Sequence, residues 1–323
     1  MAAEEKKDVS AISAAYGETM KAQMNSTIEY KHEDGMNYAR AFPPIYVGSC
    51  LQRPDDVDRL QREGVTIIFC LQEDKDLQHF GLQIEPIQQR ARDLGIVHVR
   101  EPIRDFDPFS LRCRLPAVVR RLTQELNKSD KELAYIHCTA GLGRAPGVAL
   151  AYMLWIQGEC LDKAYEQLFA VRRCHPQLGM IRAATCDILS SEVEGRVQTR
   201  LQINAQGAKL VEIAGLDVGW SKRLKLDEED RSSGRFVLLH DLLPGSYQYK
   251  FIVDGSWTVN HDLPTVDDNG NMNNIVSVEP PEGSPTAERY QRICASCLKP
   301  NAGELRQLRR ILGGRPPRGC ALM

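Results

Sequence analysis

The run His137-Cys138-Thr139-Ala140-Gly141-Leu142-Gly143-Arg144 sets a thiol, two glycines and a guanidinium side by side. Glycine-containing turns that lead into a helix present inward-pointing N–H groups, and the helix N-terminus adds partial positive charge. Such a cradle binds an anion. A cysteine at its mouth and an arginine at its end make it a reaction centre, because the same donors that hold a phosphate also stabilise a thiolate. A thiolate beside a bound phosphate is a nucleophile aimed at phosphorus. A lone buried cysteine in an ordinary turn is the competing account, and the flanking His, glycines and Arg weigh against it.

The elements that must position this loop are legible on both sides. Leu133-Ala134-Tyr135-Ile136 predicts a short buried strand, and Val148 to Trp155 a buried helix that Gly158 closes. Upstream, Val65-Thr66-Ile67-Ile68-Phe69-Cys70-Leu71 is a nearly continuous β-branched run, hence a central strand, and Ile45-Tyr46-Val47 is another. Pro54 to Leu60 opens a helix with proline and acids at its start, and Asp162 to Leu168 starts another. Val9, Ile12, Tyr16, Met20, Met24 and Ile28 recur near helical spacing and predict a helix over 8–31. Alternation of helix and strand implies an α/β domain with a central, mostly parallel sheet.

Cys-x5-Arg preceded by His resembles the loop of the cysteine-dependent phosphatases. In that resemblance Thr139, Ala140, Gly141, Leu142 and Gly143 cradle phosphate, while Arg144 forks two N–H groups onto it. Protein phosphatases of this class usually carry Ser or Thr after the arginine; here it is Ala145. The run Cys-Thr-Ala-Gly-Leu-Gly-Arg-Ala resembles instead the starch-excess phosphoglucan phosphatases of plants and algae. Ser49-Cys50-Leu51-Gln52, Phe69-Cys70-Leu71-Gln72 and His79-Phe80-Gly81 are similar to that family in order and spacing.

A phosphatase of this class needs a general acid from a separate loop ~30 residues before the cysteine. Arg104-Asp105-Phe106-Asp107-Pro108-Phe109 supplies Asp105 and Asp107, and chemistry alone does not choose between them. The resemblance assigns the acid to Asp105, with Phe106 as a flat platform beside it. It also implies a glucan channel at Phe80 and Phe106, with His79 and His175 where the family usually has aromatics. The strand that carries Cys70 is expected to end near the active-site floor, where a disulfide between Cys70 and Cys138 would be a reversible off-switch; a buried core role for Cys70 is the alternative.

From Val197 the hydrophobic period changes to two. Val197 to Ile203, Lys209 to Ile213, Phe236 to Leu238 and Tyr249 to Val253 alternate, with turns at Pro244-Gly245 and Asp254-Gly255. The pattern predicts a β-sandwich of ~85 residues. Leu243 to Trp257, with Asn273-Asn274-Ile275-Val276, resembles the glycogen-binding module, an immunoglobulin-like carbohydrate-binding fold. The resemblance implies Trp220 and Trp257 as sugar-stacking platforms, with Lys250 and Asn273 or Asn274 bonding ring hydroxyls. Stacking on indole with fixed polar partners suits an α-glucan; a structural core role for one tryptophan is the alternative.

These boundaries give an N-terminal helical segment at 1–40, a dual-specificity phosphatase domain at 41–192, a carbohydrate-binding module at 196–280 and a helical tail at 281–323. The tail's expected helices are Thr286 to Leu298 and Gly303 to Leu312, with Leu305, Leu308 and Leu312 as an apolar face. Its end, Cys320-Ala321-Leu322-Met323, fits a farnesylation box, with a disordered end as the plainer account.

A chain of 323 residues has room for two domains, and a net charge of −2 gives no reason to invoke nucleic acid. No apolar run reaches ~18 residues, so no transmembrane segment is expected. Ten cysteines without an even framework point to a reducing compartment. Cys294-Ala295-Ser296-Cys297 lacks a second pair at finger spacing, so no metal is expected, and the phosphatase chemistry needs no cofactor because Arg144 and the loop N–H groups supply the positive charge. Met1 to Asp8 is acidic and lysine-rich, unlike a plastid transit peptide. The resemblance implies a chloroplast; a cytosolic, prenylated protein is the alternative. It also implies a phosphatase acting on starch-type α-glucan, such as amylopectin, at glucose 6- or 3-phosphate. A protein phosphatase recruited to glucan and a non-catalytic glucan-binding scaffold are its rivals.

Overall fold

The computed structural model describes residues 9–24, 28–190, 196–230, 233–268, 271–294 and 299–314. The chain divides into two compact units, one formed by 1–184 and 295–323 and the other by 185–294.

The first unit begins with α1 (Val9–Met24), followed by β1 (Tyr38–Phe42), β2 (Ile45–Gly48), α2 (Pro54–Arg62), β3 (Ile67–Cys70), α3 (Asp74–Phe80), α4 (Ile84–Asp93) and β4 (Val97–Arg100). Then come α5 (Pro108–Leu126), β5 (Ala134–His137), α6 (Arg144–Tyr152), α7 (Leu161–Val171) and α8 (Leu178–Leu189), within which the division falls. The sheet order is β1-β2-β5-β3-β4. β2, β5, β3 and β4 run parallel, and β1 is an antiparallel edge. β5 is therefore the middle strand. Its four residues are all buried, as are those of β2 and β3, which is why these strands read as unbroken apolar runs.

The expected α/β architecture is what the chain adopts, with differences at element ends. Among the described residues the N-terminal helix covers Val9–Met24, residues 28–31 of the expected helix are not helical, and β1 already starts at Tyr38. Around Tyr30 and His32 the chain leaves the helix to bury both rings beside Phe80; His32 stacks on Phe80 at 4.3 Å. The helix begun at Arg144 widens into a π-helical turn over Met153–Gln157, and Gly158, at φ 76, ends it. Trp155 in that turn is fully buried.

α10 (Ala302–Leu312), reached after α9 (Pro285–Cys294), packs back onto the first unit. Asn301 caps α10 by accepting from Glu304 N at 3.0 Å. Leu308 and Leu312 are buried, a Leu305 methyl lies over Gly158, and Arg309 Nε donates to the Ile156 carbonyl at 2.8 Å. These are the apolar positions expected of the tail.

The second unit contains β6 (Val197–Asn204), β7 (Val211–Gly215), β8 (Gly219–Lys225), β9 (Asp227–Glu228), β10 (Arg235–Leu242), β11 (Gly245–Val253), β12 (Ser256–Thr258), β13 (Thr265–Asp268) and β14 (Asn271–Val278). They form two antiparallel sheets, β6-β10-β9 and β13-β14-β11-β7-β8, with β12 paired to β11. Leu201, Ile203 and Phe236 bury one face of the small sheet, and Ile213, Tyr247, Tyr249 and Phe251 one face of the large one. α9 belongs to this unit rather than to the tail, and Arg289 Nη1 donates to the Leu189 carbonyl at 3.0 Å. Cys297 and Cys320 lie outside the described residues.

Candidate active site

Because β5 is central, the loop that follows it lies at the C-terminal edge of the sheet between the loops after β2 and β3, where open α/β sheets place their ligands. Residues 138–143 turn directly into α6. Gly141 takes φ 69, and a Cβ there would run into the Gly48 backbone, so only glycine fits. Its N–H donates to Cys138 Sγ at 3.3 Å. Arg172, on the segment after α7, fixes the loop from behind. Its Nε donates to the Gly141 carbonyl at 2.8 Å and Nη2 to the Ala140 carbonyl at 3.0 Å. Carbonyls held on Arg172 leave the loop N–H groups turned the other way, toward an anion.

Arg144 opens α6 and is 4% exposed. Its Nη1 donates to Asp76 Oδ2 at 2.6 Å and to the Ile103 carbonyl at 2.9 Å; Nη2 donates to Thr139 Oγ1 at 3.1 Å. Asp105 Oδ2 lies 2.7 Å from Nη2. The remaining donor, Nε, is buried without a partner. A buried guanidinium N–H with nothing to donate to is the fit expected for a phosphate oxygen.

Asp105 and Asp107 have separate tasks. Asp107 is the N-cap of α5, accepting from Ser110 N at 2.8 Å, and faces Arg104 at 3.7 Å. Asp105 points to Arg144 instead. Burial pushes the Asp105 carboxyl above its ordinary value, against the pull of Arg144 and of a hydrogen bond from Tyr16. Phe106, between the two acids, takes φ 55, a strained conformation for an aromatic residue.

His137 stays neutral: burial and then the His98 charge push its pKa down to about 3. Its Nδ1 contacts the Cys138 carbonyl at 3.3 Å. Cys70 ends β3 in register with His137, next in sequence to Cys138. Both thiols are free, and burial pushes the Cys70 thiol up to about 11.

Of the expected channel residues, Phe106 is half-buried near the acid, and His79 sits on the rim of α3 with its ring 4.8 Å from Phe80. Phe80 itself is 7% exposed, enclosed by Tyr16, Tyr30 and His32. His175 is exposed, and its backbone N–H donates to the Leu142 carbonyl at 2.8 Å. Nothing local in the sequence marks Asp76, Arg172 or Tyr16 as a site residue; Tyr16 shows there only as one position of a helical stripe.

In the second unit Trp220 and Trp257 lie with ring centroids 6.4 Å apart at 51°, and Trp257 is 49% exposed. Arg223 stacks over the Trp257 ring at 5.9 Å. Trp257 pairs with Ile252 in register, so it shares a sheet face with Lys250, two residues along β11. Lys250 Nζ donates to Asn271 Oδ1 at 2.8 Å. Register also separates the two asparagines. Asn274 sits opposite Tyr249 on the inner face, where its amide holds the Asn260 and Pro264 carbonyls, so it is a structural pin and not open to a sugar. Asn273 falls on the other face, bonds Gln248 Oε1 at 2.9 Å, and keeps a buried Oδ1 without a partner.

A cysteine-and-arginine phosphate loop on a parallel sheet, followed by a β unit with paired indoles, defines a cysteine-dependent phosphatase joined to a carbohydrate-binding module. Residues 43–195 match the family described as Swiss Army Knife protein, DSP-PTPase phosphatase domain, and residues 197–284 match the glycogen recognition site of AMP-activated protein kinase. The chain is 44% identical over 269 residues to Phosphoglucan phosphatase DSP4, amyloplastic, of Castanea sativa, covering 82% of this chain and 71% of that one. It thus belongs to the phosphoglucan phosphatase family. It is 29% identical to Phosphoglucan phosphatase LSF1, chloroplastic, of Arabidopsis thaliana over 78% of this chain, spanning 43% of that relative's length. Over 74 residues, 23% of this chain and 57% of the relative, it is 43% identical to 5'-AMP-activated protein kinase subunit beta-1 of Sus scrofa.

Proposed function

We propose that the protein hydrolyses glucose phosphate esters on starch-type α-glucan through a phosphocysteine. The observation that carries this reading is the pairing of Arg144 with Asp105 beside Cys138, in a chain that also carries the indole pair. Phosphate entering the loop meets the N–H groups and Arg144 Nε. Cys138 Sγ attacks phosphorus while Asp105 gives its proton to the departing sugar oxygen. The Asp105 carboxylate then activates water, which releases phosphate and restores the thiolate. Burial of Asp105 favours the protonated form that the first step needs.

The exposed Trp257 ring and Lys250 offer a sugar face and a hydroxyl donor, which supports α-glucan as the anchored polymer. The glucan channel belongs to this reading at Phe80, Phe106, His79 and His175. A plastid location follows from the amyloplastic and chloroplastic relatives. Cys70, whose register partner across β3 and β5 is His137, and Cys138, the residue after it, form the proposed redox switch. A Cys70→Ser variant that loses activity on mild oxidation as the native protein does, with the same recovery on reduction, would remove Cys70 from it.

The intermediate can be trapped directly. Acid quench of the protein turning over phosphorylated amylopectin should leave phosphate on the Cys138 peptide, and none after Cys138→Ser. Rapid phosphate release without a labelled Cys138 peptide would contradict the mechanism.

A further inference from the structure

The mouth of the loop is closed by the chain's own N-terminal helix. Met20 of α1 is 1% exposed and joins one apolar cluster with Ala140 and Leu142 of the phosphate loop and with Tyr30 and Phe80; Tyr16 and Phe106 pack against it. The Tyr16 hydroxyl donates to Asp105 Oδ2 at 2.7 Å, the oxygen that also faces Arg144. Its ring lies 5.5 Å from Phe80 and 5.4 Å from Phe106. Cys138 beneath is 3% exposed.

The reaction needs these places for the substrate. The leaving sugar oxygen must reach Asp105, and the sugar faces must reach Phe80 and Phe106. Tyr16 fills both: a six-membered ring among aromatic side chains, with a hydroxyl on the acid. A polysaccharide cannot approach Cys138 while Tyr16 is seated, so the helix must give way during turnover.

We propose that Tyr16 is a specificity-determining residue, a plug in the leaving-group subsite that a glucan chain displaces and a small phosphate ester does not. The proposal rests on the phosphoglucan phosphatase reading. Any ligand whose site is open in only a fraction of molecules binds more weakly by that fraction. A glucan chain anchored on the Trp257 face acts at high effective concentration and touches several aromatic faces at once, so it offsets that loss. A small aryl phosphate has one ring and no anchor, and it meets the closed site in most encounters.

The test compares full-length native protein, Tyr16→Ala and Tyr16→Phe on p-nitrophenyl phosphate and on phosphorylated amylopectin. Tyr16→Phe removes one oxygen and serves if the alanine variant folds poorly. Release of a plug seated in about nine molecules of ten raises kcat/KM on the aryl phosphate by about tenfold in Tyr16→Ala. Tyr16→Phe, which loses only the Asp105 contact, rises by about threefold. Amylopectin turnover changes by less than about threefold in either, so the preference for glucan falls. Iodoacetamide labels Cys138 faster in both variants than in the native protein. Aryl phosphate activity and Cys138 labelling that stay at or below the native level in both variants would overturn the plug. Amylopectin left intact by all three proteins, with aryl phosphate hydrolysis rising as expected, would overturn the glucan assignment instead and with it the claim that glucan displaces Tyr16.

Discussion

Arg144 Nη1 donates to Asp76 Oδ2 at 2.6 Å, with the arginine 4% exposed and the aspartate 13%. The same Oδ2 accepts from Glu73 N at 3.0 Å in the first turn of α3, so the carboxylate is held from both sides. One arm of the guanidinium is thereby anchored, and Nε is left for phosphate. Asp76→Asn keeps the shape and removes the charge. We expect kcat/KM on any phosphate ester to fall by about tenfold, ~1.4 kcal/mol, with KM rising. Steady-state kinetics on aryl phosphate checks this; native KM and kcat in the variant would show that Arg144 needs no anchor.

Gly141→Ala should abolish turnover while leaving glucan binding intact. The new Cβ meets the Gly48 backbone, and φ 69 disfavours alanine, so the loop must rearrange. A loss of about a hundredfold or more in kcat is expected, because N–H donors aimed at the reacting group each count for that much. Retention of more than about a tenth of the native rate would mean that the loop tolerates another conformation.

These two residues mark what was legible in the sequence. Cys138 to Arg144 is contiguous, so its chemistry shows as a string, and β3 and β5 declare themselves because they are buried on both faces. Asp76 and Tyr16 reach the site from 68 and 89 residues away, and Arg172 from 31. Nothing in their local patterns marks them; α3 and α1 are positioned by packing, which only the folded chain reveals. The choice between Asp105 and Asp107 also needed the capping geometry, and that between Asn273 and Asn274 needed strand register.

Burial sets a pH dependence of stability. The folded pKa falls from 6.5 to about 3 for His137 and to about 4 for His98, with burial the main cause in each. In the unfolded chain both take up a proton near pH 6.5, and the folded chain does not. Stability present above that pH is therefore lost as pH falls toward 4, at up to ~1.4 kcal/mol per pH unit for each histidine. His137→Gln should make the slope shallower. Urea unfolding between about pH 7 and about pH 5 reads it, and an unchanged slope would count against a buried neutral His137.

The second unit separates binding from folding. Trp257→Ala removes a half-exposed ring and should weaken glucan binding about tenfold with Tm within about 2 °C of native. Asn274→Ala should do the reverse, lowering stability by ~1–3 kcal/mol because the Asn260 and Pro264 carbonyls lose their donor. Amylose sedimentation and thermal unfolding distinguish them. Equal effects of both variants on both measurements would erase the division between platform and inner face.

The central claim is most directly tested by measuring phosphate released from phosphorylated amylopectin, beside an aryl phosphate and a phosphopeptide, with Cys138→Ser as the blank. The account predicts strong release from amylopectin that vanishes in the serine variant and falls by about a hundredfold or more in Asp105→Asn. Hydrolysis of phosphopeptide and aryl phosphate with amylopectin untouched would contradict it and identify a protein phosphatase carried to glucan. Glucan binding with no hydrolysis of any of the three under reducing conditions would contradict it too, and leave a scaffold.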